Sequence, residues 1–254
     1  GNNQSKMQKR GRDVNATPWI KKLKTSRSLL NPQFISNRVT ERYRELTLEI
    51  CTGCTLDIGC GDMFAANSER ISFYVGIDDI RSGDTLYGTR PVTYCDAHSL
   101  CFHEETFDTV VMLNVTEHLR DPEQAFEEAA RVLKYGGLLV LFTPFIYPTH
   151  DAPYDYYRPT SFGIELMARR AGLTVESSYS AGSGLLTSFQ MLLLTAASSV
   201  LEHGCKPTLM ERMTALVVLS LTPLLNLVSL HLKPISPMAE NEFCSLGHLL
   251  ICRK

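Results

Sequence analysis

Several features are missing from this sequence, and each absence removes a class of protein. No apolar signal-like stretch precedes the cysteines. The eight of them, at positions 51, 54, 60, 95, 101, 205, 244 and 252, are too sparse to staple a small secreted domain. Reduced thiols in a cytoplasmic protein are expected. Cys51-Thr-Gly-Cys54 has no second Cys-x-x-Cys pair to complete a four-ligand zinc site, which leaves chance spacing as its reading. Internal repeats and low-complexity tracts are also absent. Charge is missing from two long stretches, Tyr179 to Leu201 and Met213 to Leu230, each long enough to cross a bilayer. Pro223, Asn226 and scattered Ser and Thr break up any clean span, so a soluble helical insertion over about 181–240 is expected. Peripheral membrane contact through that insertion is the second reading, and a spanning hairpin the last.

What is present is enough for a sizeable core: 254 residues, 44% apolar and 20% charged, most simply one main domain. The formal charge of −2 conceals an asymmetry, because residues 1–40 carry nine Lys or Arg against Asp13 alone. Residues 1–36 read as a basic, partly flexible arm and 37–254 as the folded domain. Lys9, Arg10, Arg12, Lys21, Lys22, Lys24 and Arg27 would suit phosphate or anionic lipid, although a solvated arm is the simpler account.

Asn37 to Ile50 has apolar residues at 39, 43, 46 and 50, the spacing of an amphipathic helix. Short apolar runs and helical patterns then alternate: 55–59, 64–71, 73–78, 92–95, 107–113, 122–133, 138–143, 160–171 and 173–178. Strand and helix taking turns predict a parallel sheet covered on both faces. Asp121-Pro122 supplies an N-cap and first-turn proline, and Thr160 with Ser161 caps the next helix. The last run, Phe243 to Cys252, has no helix after it and is free to join antiparallel.

The first strand ends in Asp57-Ile-Gly59-Cys60-Gly61. At the carboxyl edge of a doubly wound sheet, glycines let backbone amides approach a ligand, and a following helix offers its N-terminus to a carboxylate or phosphate. Asp78 ends the second strand 21 residues after Asp57, where a carboxylate can accept both ribose hydroxyls. An adenosine-type ligand is expected. Met63 stands where a dinucleotide fingerprint prefers a small residue, which suits a loop holding an amino-acid moiety rather than a pyrophosphate.

Asp57-Ile-Gly-Cys-Gly61, Gly76-Ile-Asp78, Cys95-Asp-Ala97, Phe107-Asp-Thr-Val-Val111, Glu117-His-Leu-Arg-Asp-Pro122 and Arg131-Val-Leu-Lys-Tyr-Gly-Gly137 occur in one order. As a set they resemble the class I S-adenosylmethionine-dependent methyltransferases, in particular the small-molecule, ubiquinone-biosynthesis-like type 11 group. The resemblance covers residues 54–178 and the final strand. It implies a Rossmann-like α/β fold: a doubly wound, mainly parallel seven-stranded sheet with an antiparallel last strand, an N-terminal helix and the helical insertion. It further implies that Asp57, Gly59, Cys60 and Gly61 hold the methionine end of S-adenosylmethionine. Asp78, with Asp79 beside it, would take the ribose, Asp96 and Ala97 the adenine edge, and Asn114 part of the methyl-transfer floor.

His118 is the titratable candidate for removing a proton from the acceptor. Asn114, Glu117 and His118 are spaced to share one side of a helical turn. Some related O-methyltransferases place a metal on Glu-x-x-Glu-His at this point. With Asn in the first position the ligand set is poor, and no metal is expected. The loop from Pro144 to Pro159 would sit over the acceptor, with His150 as a second catalytic candidate and Tyr154, Tyr157 and Arg158 as acceptor contacts. The expected function is methyl transfer to a small-molecule acceptor, at oxygen of an apolar, quinone-like or lipid-linked compound. A non-catalytic S-adenosylmethionine-binding protein is the alternative. Nucleic acid is not an expected partner, since Leu113-Asn-Val-Thr116 offers no Asn-Pro-Pro-Tyr-like element. A nicotinamide oxidoreductase is disfavoured by the absent third glycine.

Overall fold

The computed structural model describes residues 27–79, 91–201, 207–237 and 244–254. Adjacent residues of a strand face opposite sides of a sheet, so a strand covered on both sides must be apolar throughout. Phe107–Leu113 (β4) meets that condition over residues 110–113 and Leu133–Pro144 (β5) over residues 138–142. Val110, Met112, Leu139 and Leu141 pack on one face, against Ala125, Phe126 and Ala129 of helix Pro122–Val132 (α2) and Ile164 and Ala168 of Ser161–Arg170 (α3). Val111, Val140 and Phe142 pack on the other, against Phe34, Ile35, Val39 and Tyr43 of Phe34–Ile50 (α1). Complete burial of one such side chain, Phe126 for example, is worth about 1.5–3 kcal/mol.

The remaining strands are Gly53–Ile58 (β1), Ile71–Asp78 (β2), Thr93–Tyr94 (β3), Thr174–Ala181 (β6), Ile235–Pro237 (β7) and Gly247–Arg253 (β8). Their order in the sheet is β3-β2-β1-β4-β5-β8-β6-β7. From β1 the chain runs outward to β3, then returns to β4 on the other side of β1, so the order reverses between β1 and β4. Those two strands are parallel, with Ile58 level with Met112, and their carboxyl ends lie side by side. β8 runs antiparallel to both β5 and β6, as expected for a strand arriving without a crossover. The mainly parallel, doubly wound sheet is as expected. One strand is added to the expected seven: β7, a three-residue edge strand inside the insertion, pairs antiparallel with β6.

The caps follow the sequence. Asp121 accepts from the Gln124 amide (3.1 Å) ahead of Pro122, and Thr160 accepts from the Gly163 amide (3.1 Å). α1 begins at Phe34, three residues ahead of the amphipathic pattern, and buries Phe34 and Ile35 in the core. Arg27 pairs with Glu41 at 2.9 Å on the surface; the arm's other basic residues, at positions 6–24, lie outside the described residues. The insertion forms Gly184–Leu201 (α4), Leu209–Ser220 (α5) and Thr222–Ser229 (α6), with α5 and α6 bent by 47°.

Candidate functional site

The turn after β1 lies at the point where the strand order reverses. Gly59 takes φ 67°, and a β-carbon there would sit 2.4 Å from Val115 Cγ2, so only glycine fits. The amides of Gly59 and Cys60 both donate to the Ile77 carbonyl (2.9 and 3.0 Å), which pins the turn onto β2. Met63 also adopts a left-handed conformation (φ 51°, ψ 40°), at a cost of about 1–2 kcal/mol for a residue with a β-carbon. The expected helix over 64–71 does not form; Phe64–Asn67 makes a single 3-10 turn. Ser68 is already extended and β2 starts at Ile71, which leaves no length for more. Any ligand here meets the backbone of the turn rather than a helix N-terminus.

Asp57, at the end of β1, is 2% exposed. Burial pushes its carboxyl up to about 7, and the Tyr74 hydroxyl, donating to Oδ2 at 2.7 Å, partly offsets that rise. The Cys60 thiol is pushed up to about 12 by burial, and then by Asp57 and Asp78. Asp78 accepts from the amides of Gly61 (3.3 Å) and Asp79 (2.8 Å), tying the end of β2 to the glycine turn. Arg44 of α1 makes a two-pronged ion pair with Asp62 (2.8 and 3.0 Å) and lies over the Phe64 ring at 4.8 Å. These groups enclose an open cleft of about 440 Å³, lined by Arg44, Asp57, Gly59–Asp62, Phe64, Leu113 and Asn114. A buried carboxyl and a guanidinium already paired with Asp62 line the same cleft beside the glycine turn.

Asp78, Asp79, Asp96 and Ala97 are not among the residues lining this cleft, although Asp78 is hydrogen-bonded to its Gly61. Asp96 Oδ1 accepts from the His98 amide (2.9 Å) and faces His98 Nδ1 (2.6 Å); the amide bond, then the ring, lowers its carboxyl below the usual range. Ala97 is buried in the core cluster. Residues 80–90, on the same edge, lie outside the described residues.

Beyond β4 the expected helical turn is a 3-10 turn, Thr116–His118, and it does not gather Asn114, Glu117 and His118 on one side. Asn114 (φ 56°) instead donates to the Tyr43 hydroxyl at 2.9 Å, beneath the Tyr43–Phe142 stack. Glu117 meets His150 from the loop after β5. The rings of His118 and His150 are 5.0 Å apart, and Nε2 of each lies 3.8 Å from Glu117 Oε1. Glu117 is fully buried, and neither carboxylate oxygen receives a hydrogen bond from another described residue. Burial pushes its carboxyl up to about 8; burial, and then the neighbouring His118, lowers the His150 imidazole. The ligand atoms of Glu117, His118 and His150 lie within 4.8 Å of one another, the one group of at least three His, Cys, Asp or Glu among the described residues so placed to hold a metal ion.

Arg158, expected to contact the acceptor, is occupied within the loop. It pairs with both oxygens of Asp155 and donates to the Tyr157 carbonyl (2.8 Å). Burial works to raise the Asp155 carboxyl, but Arg158 and the His150 amide bring it below its usual range. Tyr157 donates from its hydroxyl to the Arg120 carbonyl (3.0 Å), and Tyr154 supplies its carbonyl to His118 Nδ1 (2.7 Å), with both rings exposed. Sequence reasoning missed Tyr43, Arg44, Asp62 and Tyr74, which carry no motif and reach the site only through packing.

Residues 56–141, spanning β1 to β5 and both glycine-turn and Glu-His segments, match the family described as a methyltransferase domain. The match is thus to the central part of the sheet, from the glycine turn to β5. Relatives include the ubiquinone/menaquinone biosynthesis C-methyltransferase UbiE of Idiomarina loihiensis, 30% identical over 151 residues, covering 50% of this chain and 57% of that protein. An uncharacterized methyltransferase of Mycobacterium sp. strain JLS is 29% identical over 139 residues, covering 51% and 54%. The chain thus spans little more than half the length of these relatives. Among solved structures, the [4+2]-cyclase SpnF has a TM-score of 0.54 at 17% identity, covering 86% of this chain and 82% of its own. A Thermotoga maritima protein, titled an S-adenosylmethionine-dependent methyltransferase and possible histamine N-methyltransferase, has a TM-score of 0.53 at 15% identity, covering 85% and 89%. The fold is shared with both of these solved structures. This chain departs from the expected motif pattern at Met63, and its glycine turn is followed by a 3-10 turn rather than an α-helix.

Proposed function

We propose that the chain transfers a methyl group from S-adenosylmethionine to oxygen of a small, apolar acceptor drawn from a membrane. The observation that carries the cofactor is the cleft at the reversal point, where buried Asp57 and Arg44 flank a turn that only Gly59 permits. On this reading Asp57, whose Oδ2 is held by Tyr74, takes the ammonium group through Oδ1; Arg44 takes the carboxylate by giving up part of its pairing with Asp62, and Asp78, tied to the Gly61 amide, takes the ribose. Bound there, S-adenosylmethionine supplies a methyl already activated on a sulfonium. The chain's own tasks are to hold both partners in line and help the acceptor oxygen lose its proton. Glu117, His118 and His150 are the groups available for the second task.

The insertion supports the apolar acceptor. A helix on a protein surrounded by water buries its apolar stripe. α6 does the reverse: Thr222, Asn226 and Ser229 are buried, while Leu224, Leu227 and Val228 are 56%, 49% and 42% exposed. α5 buries only Ala215 and exposes Leu209, Met210, Met213, Leu216 and Val217. Large apolar side chains outward, polar ones inward and no charge from Met213 to Leu230 favour a lipid surface over water. Among the described residues α4 by itself, and α5 with α6 taken as one bent span, are long and apolar enough to cross a membrane; α4 packs its buried face, Leu186, Leu193 and Ala197 included, on the domain.

The test combines purified chain, S-adenosylmethionine and vesicles carrying a prenylated phenol, read by mass spectrometry. S-adenosylhomocysteine and an acceptor heavier by one CH₂ are expected, with the protein floating with the vesicles. Cofactor binding without turnover would support the non-catalytic alternative.

A further inference from the structure

The Glu117–His118–His150 cluster is built in a way that acid–base chemistry alone does not require. His118 Nδ1 lies 2.7 Å from the Tyr154 carbonyl and His150 Nδ1 lies 3.2 Å from the Pro148 carbonyl. A carbonyl can only accept, so both contacts favour a proton on Nδ1; at His150 Asp155 Oδ2 (3.4 Å) adds a second acceptor and Arg158 (3.4 Å) a competing donor. With the ring's proton on Nδ1, Nε2 is left to present a lone pair. Both lone pairs meet the same carboxylate oxygen, Glu117 Oε1, at 3.8 Å. Three electron-rich atoms converge, one on a fully buried side chain that takes no hydrogen bond from another described residue.

Distance decides what belongs between them. A proton bridges donor and acceptor at about 2.7–3.2 Å, so 3.8 Å is too wide for it to join Oε1 to either ring. A divalent ion sits about 2.0–2.1 Å from imidazole nitrogen and about 2.0–2.2 Å from a carboxylate oxygen; tetrahedral geometry then places neighbouring ligand atoms about 3.4 Å apart. The two edges to Oε1 need to close by about 0.4 Å, and the edge between the imidazoles, within 4.8 Å, by about 1.4 Å at most. Carbonyls holding Nδ1–H, with Nε2 left free, are also how proteins orient histidine for a metal.

We infer that Glu117, His118 and His150 form a binding site for one divalent ion of the zinc and cobalt class. Two imidazoles and one carboxylate suit such borderline ions better than magnesium or calcium, which take oxygen ligands. Glu117 is fully buried, while the side chains of His118 and His150 are about one quarter exposed (24% and 29%), which leaves the ion a coordination position open to solvent. On the methyl-transfer reading, an acceptor hydroxyl bound there would lose its proton to water more readily, because the ion stabilises the oxyanion. Site and ion stand without that reading, so they are tested in the absence of cofactor and acceptor.

The experiment titrates Co²⁺ into chelator-treated full-length chain and follows visible d–d absorption and isothermal heat, then displaces Co²⁺ with Zn²⁺. One ion per chain is expected, with spectral signs of imidazole ligation and a higher melting temperature in its presence. His150→Gln should weaken binding by more than about 100-fold, beyond the 10–100-fold typical of losing an outer-shell partner, and Glu117→Gln should weaken it too. No uptake by a parent chain that melts cooperatively overturns the inference. So does uptake of equal affinity in a folded His118→Gln/His150→Gln double variant, which would place the ion on the cysteines. Binding lost in the double variant while methyl transfer persists would retain the site and refute its part in the reaction.

Discussion

Tyr74→Phe is the most informative single change, because it alters one proton's position without removing a group from the cleft. Tyr74 donates to Asp57 Oδ2 at 2.7 Å, and Asp57 has a carboxyl raised to about 7 by burial. A hydrogen bond to a charged partner is worth about 1.5–3 kcal/mol, and one pKa unit corresponds to about 1.4 kcal/mol. Losing the bond should therefore move the Asp57 carboxyl from about 7 up by roughly 1–2 units. If the cofactor's ammonium binds ionised Asp57, the variant binds about 10–100-fold more weakly below neutrality, and the gap closes toward unity above pH ~9–10. Isothermal titration of S-adenosylmethionine or S-adenosylhomocysteine against both proteins from acid to alkaline pH measures that ratio. The ligand's own amine titrates identically in both, so it cancels. The stability sign runs the same way. Between the ordinary carboxylate range and about 7 the folded chain keeps a proton that the unfolded chain loses, so stability falls as pH rises through that window. In Tyr74→Phe the fall continues to higher pH. A constant affinity ratio at every pH, or tighter binding by the variant, would refute the pairing of Asp57 with the cofactor's charge.

Two further outcomes are expected. Gly59→Ala should cost about 2–5 kcal/mol, combining a left-handed backbone with overpacking against Val115 Cγ2 at 2.4 Å; Val115→Ala in the same chain should return the second part in a denaturant titration. Asn226→Leu should destabilise by about 1–3 kcal/mol for each unpaired acceptor, since Nδ2 now serves the carbonyls of Leu29 (2.8 Å) and Asn31 (2.9 Å); a melting temperature equal to the parent's would mean that the inward polar face of α6 does no structural work.

The part of the fold that follows chain order was legible in the sequence. Apolar runs alternating with helical spacing, the Asp121-Pro122 and Thr160 caps and the Gly59 turn are local signals, and each formed where expected. The failures also have local causes. Phe64 to Ile71 has helical spacing, yet the strand that begins at Ile71 claims the length a helix would need. Arg158 and Asp155, three residues apart in the sequence, do pair as the loop's composition suggests.

By itself the sequence determined the strand order's reversal point, the glycine turn there and the acid ending each of the two flanking strands, because backbone sterics and periodicity act over a few residues. Only the tertiary structure decided that Asn114 turns to Tyr43, that His150 joins Glu117 and His118 across 32 residues of chain, and that α6 faces its polar side inward. Those outcomes depend on which distant carbonyls, rings and hydroxyls the packing leaves to be satisfied, and a buried polar group takes whichever partner the fold brings within reach.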